Sequence, residues 1–220
     1  VETIQSAFFT ATFFMMGHIS KVDGKVSQDE IHVAQHVMRQ MNLNVQQKKV
    51  AINLFEQGKS EGVQVGEVLE QFRKECHRRR NLMQMFLEIL VMTALADGAL
   101  HKNEEKALWE SAQILGFSKS DFQRILQRGQ AQQHYQQNRR SHTNRSSDRS
   151  RLNLTDAYQL LGIKSSASDQ EVKKAYRRQM NQHHPDKLVS KGLPQEMMDI
   201  ANQKTQDIKA AYELIKQTRN

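Results

Sequence analysis

Two apolar-periodic runs on either side of His184-Pro185-Asp186 constrain the C-terminal third of this chain more tightly than any other feature of the sequence. From Asp169 to His183, Val172, Ala175, Tyr176 and Met180 recur at helical spacing, and Lys173, Lys174, Arg177 and Arg178 fill positions between them. The spacing predicts a helix with one face to bury and another that stays cationic. Pro185 lacks a backbone N–H and disfavours helical geometry at the residue before it, so the helix should stop near His183 and leave His184 to Asp186 in a loop. A second helix is expected from about Glu196 to Gln217, where Met197, Ile200, Ala201, Ile208, Ala211, Tyr212 and Ile215 line one side. A shorter helix from Thr155 to Leu161, N-capped by Thr155 or Asn153 and closed by a left-handed cap at Gly162, completes a helical hairpin with a brace.

Four blocks, Asp156 to Ile163, Val172 to Arg178, His183 to Lys187 and Ile208 to Ile215, resemble the J domain in order and spacing. The resemblance implies a co-chaperone rather than an enzyme. His184, Pro185 and Asp186, with Lys187 beside them and Lys173, Tyr176, Arg177 and Arg178 on the preceding helix, would dock on a DnaK-type chaperone and stimulate its ATP hydrolysis. Asp186 would offer its carboxylate to a cation of that partner. Without the tripeptide, a row of Lys and Arg reads as solvated surface, and Tyr176 serves equally well as core. The segment from Lys187 to Gln195 is long and carries Leu188, Val189, Gly192 and Pro194, so it is expected to make contacts of its own. No paired Cys-x-x-Cys modules of the zinc-binding kind follow it. Choice of target is therefore expected to lie before residue 152.

The remainder reads as a second helical domain. The chain has 220 residues with 38% hydrophobic and 25% charged content, room for one or two soluble domains. Its two prolines both fall in the C-terminal region, and β-branched alternation is scarce, so the fold class expected throughout is all-α. The lone Cys76 has no disulfide partner in the chain and reads as a structural thiol. No nucleophile with an orienting acid, phosphate-cradling glycine loop or matched acid/base pair is present, and no cofactor is expected.

A net charge of +8 suggests nucleic acid until it is divided along the chain. Residues 1–127 balance fifteen Lys and Arg against fifteen Asp and Glu, 128–151 hold six against one, and 152–220 hold eleven against eight. Arg78-Arg79-Arg80 reads as a helix end or surface loop, and nucleic acid is not an expected partner. Residues 128–151, rich in Gln, Asn, Ser and Arg, bury too little apolar surface to offset ordering and read as a flexible polar linker. The resulting division is 1–127, a helical domain; 128–151, the linker; and 152–220, the J domain.

Residues 1–127 contain an internal repeat. Aligning Asp23-Gly24-Lys25-Val26 with Asp97-Gly98-Ala99-Leu100 also aligns Glu30 with Glu104, Met41 with Leu115 and Leu43 with Phe117. Each copy reads as helix, tight turn, helix, with Phe8 to Ile19 and Met85 to Ala96 as the leading apolar runs and Ser27 with Glu30 as a capping box. The pattern resembles the TerB-like bundle of tellurite-resistance proteins. Asp23, Glu30, Asp97 and Glu104, with Asp29 and Glu105, are candidate metal ligands if the copies face each other. Neither loop has the alternating oxygen ligands of an EF-hand, and turn or cap roles account for each acid, so no metal is expected. His18, His32, His36 and His101 lack ligand spacing.

A TerB-like bundle, a polar linker and a C-terminal J domain together resemble the cytoplasmic part of a membrane-anchored family of DnaJ-like proteins in Gram-negative bacteria. That resemblance implies an inner-membrane location on the cytoplasmic side, with the membrane reached through an N-terminal segment missing from the sequence in hand. Phe8 to Ile19 is too short, and too interrupted by Thr10, Thr12 and His18, to span a bilayer. The first domain would select an unknown protein client or a location, and an apolar patch on it would mark a partner or a homodimer. The rival expectation is a membrane-associated scaffold or sensor whose first domain binds a protein or metal ligand.

Overall fold

A computed structural model of the chain describes residues 2–22, 35, 37–39, 41, 43–96, 98–140 and 148–219. Among the described residues every regular element is a helix. Helix α1 (Glu2–Lys21) is followed by α2 (Val45–Lys59), α3 (Val65–Glu75), α4 (Arg80–Ala94), α5 (Lys102–Ile114) and α6 (Lys119–Arg140). Then come α7 (Asp148–Leu161), α8 (Asp169–His183), α9 (Pro185–Ser190), a 3-10 turn (Gln195–Met197) and α10 (Met198–Arg219).

Helix α1 is apolar nearly all round and lies inside the bundle, which is where such a helix is stable in water. Phe8, Ala11, Phe13, Phe14, Met15, Met16 and Ile19 are buried, and Thr12 Oγ1, buried among them, donates to the Phe8 carbonyl at 2.7 Å. Two glycines let α2 approach it. A Cβ on Gly17 would sit 2.0 Å from the Phe55 carbonyl oxygen, and one on Gly58 would sit 1.9 Å from that of Phe14. Helix α4 is the second core helix, with Leu82, Phe86, Leu87, Ile89, Leu90 and Val91 wholly buried. No helix among the described residues is long and apolar enough to cross a membrane.

Repeat-related positions have matching burial: Met41 and Leu115, then Leu43 and Phe117, all lie in the core. Gly98 makes the second copy's turn at φ +101. The first copy's Asp23-Gly24 turn and its Ser27–Glu30 capping box lie outside the described residues, as do His32 and His36. The Arg78-Arg79-Arg80 cluster forms the bend between α3 and α4, with Arg78 at φ 62 and Arg80 paired to Asp121 at 2.8 Å.

The linker departs from expectation. Helix α6 continues through the first half of the segment expected to be irregular, ending at Arg140, and α7 starts at Asp148. Ala131 and Tyr135, one turn apart, are buried, and Gly129 lets α6 approach α4, where an added Cβ would lie 2.6 Å from Val91 Cγ1. Glutamines that read as low-complexity polar sequence find buried partners, as set out below. Residues 141–147 lie outside the described set.

The C-terminal hairpin forms as expected. Ser168 and Glu171 make a capping box at the start of α8, and Gly162 closes α7 at φ +70. Ala157, Leu161, Val172, Ala175, Ile208, Ala211 and Ile215 form its own small core. Two expectations are corrected. Helix α7 begins before Thr155, and only His184 stands outside helical structure at the corner. Pro185 is the first residue of α9 rather than part of a loop, because a helix's first residue has no use for the N–H that proline lacks and its fixed φ suits that position. The long segment after the tripeptide plugs the hairpin into the first domain: Leu188, Leu193, Met197, Ile200 and Ala201 belong to the same hydrophobic cluster as α1 and α4.

Candidate chaperone-docking site

His184 closes α8 with φ −59 and ψ 121, and its carbonyl accepts the Leu188 N–H at 3.0 Å, so one residue turns the chain from α8 into α9. Asp186 and Lys187 project into solvent. His184 and Pro185 are half-buried, and the His184 Nδ1 atom has no hydrogen-bond partner among the described residues. The Lys187 ammonium donates to Asn181 Oδ1, tying α9 to α8. On α8, Lys173, Lys174, Arg177 and Arg178 are exposed. Tyr176 is half-buried and stacks on Tyr212 with ring centroids 4.2 Å apart and planes 17° apart, so it braces α8 against α10. Lys173, Tyr176 and Arg177, three and four positions apart, share a side of α8, with the tripeptide at its C-terminal end. At the far end of the hairpin Arg219 donates to Tyr158 Oη at 2.8 Å, Asp169 Oδ1 at 2.6 Å and the Ala167 carbonyl at 2.7 Å.

Behind this corner lies a buried charge cluster. The Glu88 carboxylate of α4 is 2.8 Å from His183 Nε2, 3.0 Å from Lys204 Nζ and 4.0 Å from Arg128. Gln84 Nε2 donates to it at 2.8 Å. Burial alone would raise its pKa, but the charges of His183, Lys204 and Arg128 outweigh that and hold the carboxyl well below its ordinary value. A second buried acid, Asp207 of α10, accepts from Gln132 and Gln136 of α6 at 2.9 and 2.8 Å, and Lys204 donates to Gln132 Oε1 at 3.0 Å. These groups join α4, α6, α8 and α10.

Sequence reasoning missed Glu88, His183, Lys204 and Asp207. The available signal was a lone carboxylate within the apolar stretch of α4; nothing in one dimension pairs it with cations forty to over a hundred residues away. Of the metal candidates, Asp23, Glu30 and Asp97 lie outside the described residues. Glu104 is spoken for, accepting the His101 N–H at 2.8 Å as the cap of α5. Among the described residues no three His, Cys, Asp or Glu side chains group as metal ligands would. Cys76 is fully buried, and burial pushes its thiol up to about 12, as expected of a structural thiol.

A helical hairpin presenting His-Pro-Asp at its corner beside a basic helix defines a J-domain protein. Residues 156–220 match the family model described as DnaJ domain, and residues 9–127 match that described as Tellurite resistance protein TerB. The chain is 44% identical to the co-chaperone protein DjlA of Photobacterium profundum over 221 residues, covering 99% of this chain and 80% of that one. It is 43% identical to DjlA of Escherichia coli K12 over 219 residues, 98% of this chain and 80% of that one. The chain belongs to the DjlA family of co-chaperones. No solved structure matches it.

Proposed function

We propose that this chain docks on a DnaK-type chaperone through His184, Pro185, Asp186 and Lys187 with Lys173, Tyr176, Arg177 and Arg178 of α8, and stimulates that partner's ATP hydrolysis without breaking a bond itself. The observation that carries this reading is which sides of the hairpin stay open. The first domain covers Leu188, Leu193, Met197 and Lys204, whereas Asp186 and the four cations of α8 face solvent. Exposed charges of this kind steer encounter and fix register, so association should be transient and salt-sensitive.

The TerB-like domain would choose client or location, on the cytoplasmic face of the inner membrane, and hold it beside the J domain. The supporting observation is that the two parts share one hydrophobic core, so whatever the first domain holds lies at a fixed place relative to the corner.

Single-turnover ATP hydrolysis by the chaperone, with this protein or with His184→Gln, tests the reading after circular dichroism confirms that the variant is folded. Stimulation by the parent alone is expected. Equal rates with parent and variant would sink the docking mechanism and favour a scaffold.

A further inference from the structure

We propose that Glu88, in the first domain, is a positioning residue for the His184-Pro185-Asp186 corner and acts through His183. The inference rests on the docking function above and adds to it a residue that lies outside the J domain.

His183 is the last residue of α8 and immediately precedes the tripeptide. Its ring is 5% exposed and fully engaged: Nδ1 lies 2.9 Å from the Gln179 carbonyl, and Nε2 lies 2.8 and 3.1 Å from the two Glu88 oxygens. Both partners are acceptors, so a ring that satisfies both donates from each nitrogen and is held in one orientation. Glu88 is itself fixed by Gln84, Lys204 and Arg128, which makes it a rigid post. On the other side of the tripeptide, Leu188 is 1% exposed and sits in the core shared with α1 and α4. The corner is thus gripped at both ends by the first domain, while Asp186 between them stays free.

A buried ion pair adds little net stability over apolar packing, but it fixes geometry, because an apolar pair tolerates sliding and a hydrogen-bonded one does not. The position of the corner, and hence where Asp186 and Pro185 meet the partner, depends on that geometry. The cations of α8 lie on the open side and govern encounter. Loss of Glu88 should therefore lower the maximal stimulation and leave the half-stimulating concentration nearly unchanged.

The test titrates the full chain into single-turnover ATP hydrolysis by a DnaK-type chaperone and compares parent, Glu88→Gln, Asp207→Ala and His184→Gln, each checked for folding by circular dichroism and urea denaturation. Asp207→Ala weakens the same interdomain seam while leaving both side chains of the Glu88–His183 contact in place. Maximal stimulation is expected to fall at least about fivefold in Glu88→Gln, since misplacing a positioned group by an ångström costs up to about 10²-fold. Half-stimulating concentration should stay within about twofold in that variant, because the α8 cations that govern association are unchanged, and Asp207→Ala should keep the parent's maximum despite lower stability, because it retains the Glu88–His183 contact. Long-range proton–nitrogen spectra should show both His183 ring nitrogens altered in Glu88→Gln and unaltered in Asp207→Ala. A Glu88→Gln maximum equal to the parent's, or a loss in Asp207→Ala that tracks stability as in Glu88→Gln, overturns the positioning role. Failure of His184→Gln to differ from the parent overturns instead the docking function, and this inference with it.

Discussion

His183 Nε2 lies 2.8 Å from Glu88 Oε2, a contact across ninety-five residues that joins the end of the basic helix α8 to the core helix α4. The contact is buried, so it links the ionisation of one carboxylate to the docking of one domain on the other.

Its pH dependence follows from the sign of the shift. The Glu88 carboxyl is held well below its ordinary value of 4.5, so the unfolded chain binds the proton more tightly than the folded one. The stabilisation is fully present above that value and is lost as pH falls through the lower folded value. The parent's urea midpoint should therefore drop more steeply than that of Glu88→Gln as pH is lowered below 4.5.

The α1–α2 crossing depends on glycine at two positions. Gly17→Ala would place a methyl 2.0 Å from a backbone oxygen, so the helices must separate, at a cost of about 3 kcal/mol or more. A Cβ on Gly66, in α3, would have nothing within 4 Å among the described residues. Gly66→Ala should instead stabilise by about 0.4–1 kcal/mol. Urea denaturation of the two variants should show shifts of opposite sign.

Asp207 is 1% exposed and accepts from three glutamine amides, Gln132, Gln136 and Gln203. Asp207→Ala leaves those donors without an acceptor and should cost about 1–3 kcal/mol. Hydrogen exchange should quicken in α6 and α10 before it does in α1.

Cys76 is wholly buried, with its thiol pushed up to about 12. A thiol-specific disulfide reagent should react with the native protein only at the rate of unfolding, and raising the pH from 7 to 9 should not speed it. Rapid alkylation of the folded chain would contradict this placement.

Much of this protein could be read along the chain because its determinants are local. Helical periodicity marked α8 and α10, Gly162 and Gly98 marked turns by their freedom to take positive φ, and four blocks with a tripeptide marked the J domain. The exposed cations of α8 and the corner beside them were legible for the same reason, since they are consecutive turns of one helix and its end. The linker was misjudged over its first half. Composition says only that Gln132 and Gln136 are polar, not that Asp207 and Lys204 wait for them inside the fold.

Helical periodicity in α8 and α10, the glycine that closes α7 and the exposed basic side of α8 were fixed along the chain, because each depends on neighbours within about four residues. Only the tertiary structure decided that the J domain is seated on the first domain, that α6 runs on to Arg140, and that Glu88 meets His183, Lys204 and Arg128. Pairing a buried charge depends on which distant side chains the packing brings within about 3–4 Å, a distance over which attraction is strong only after water is removed. Linear spacing carries no trace of that.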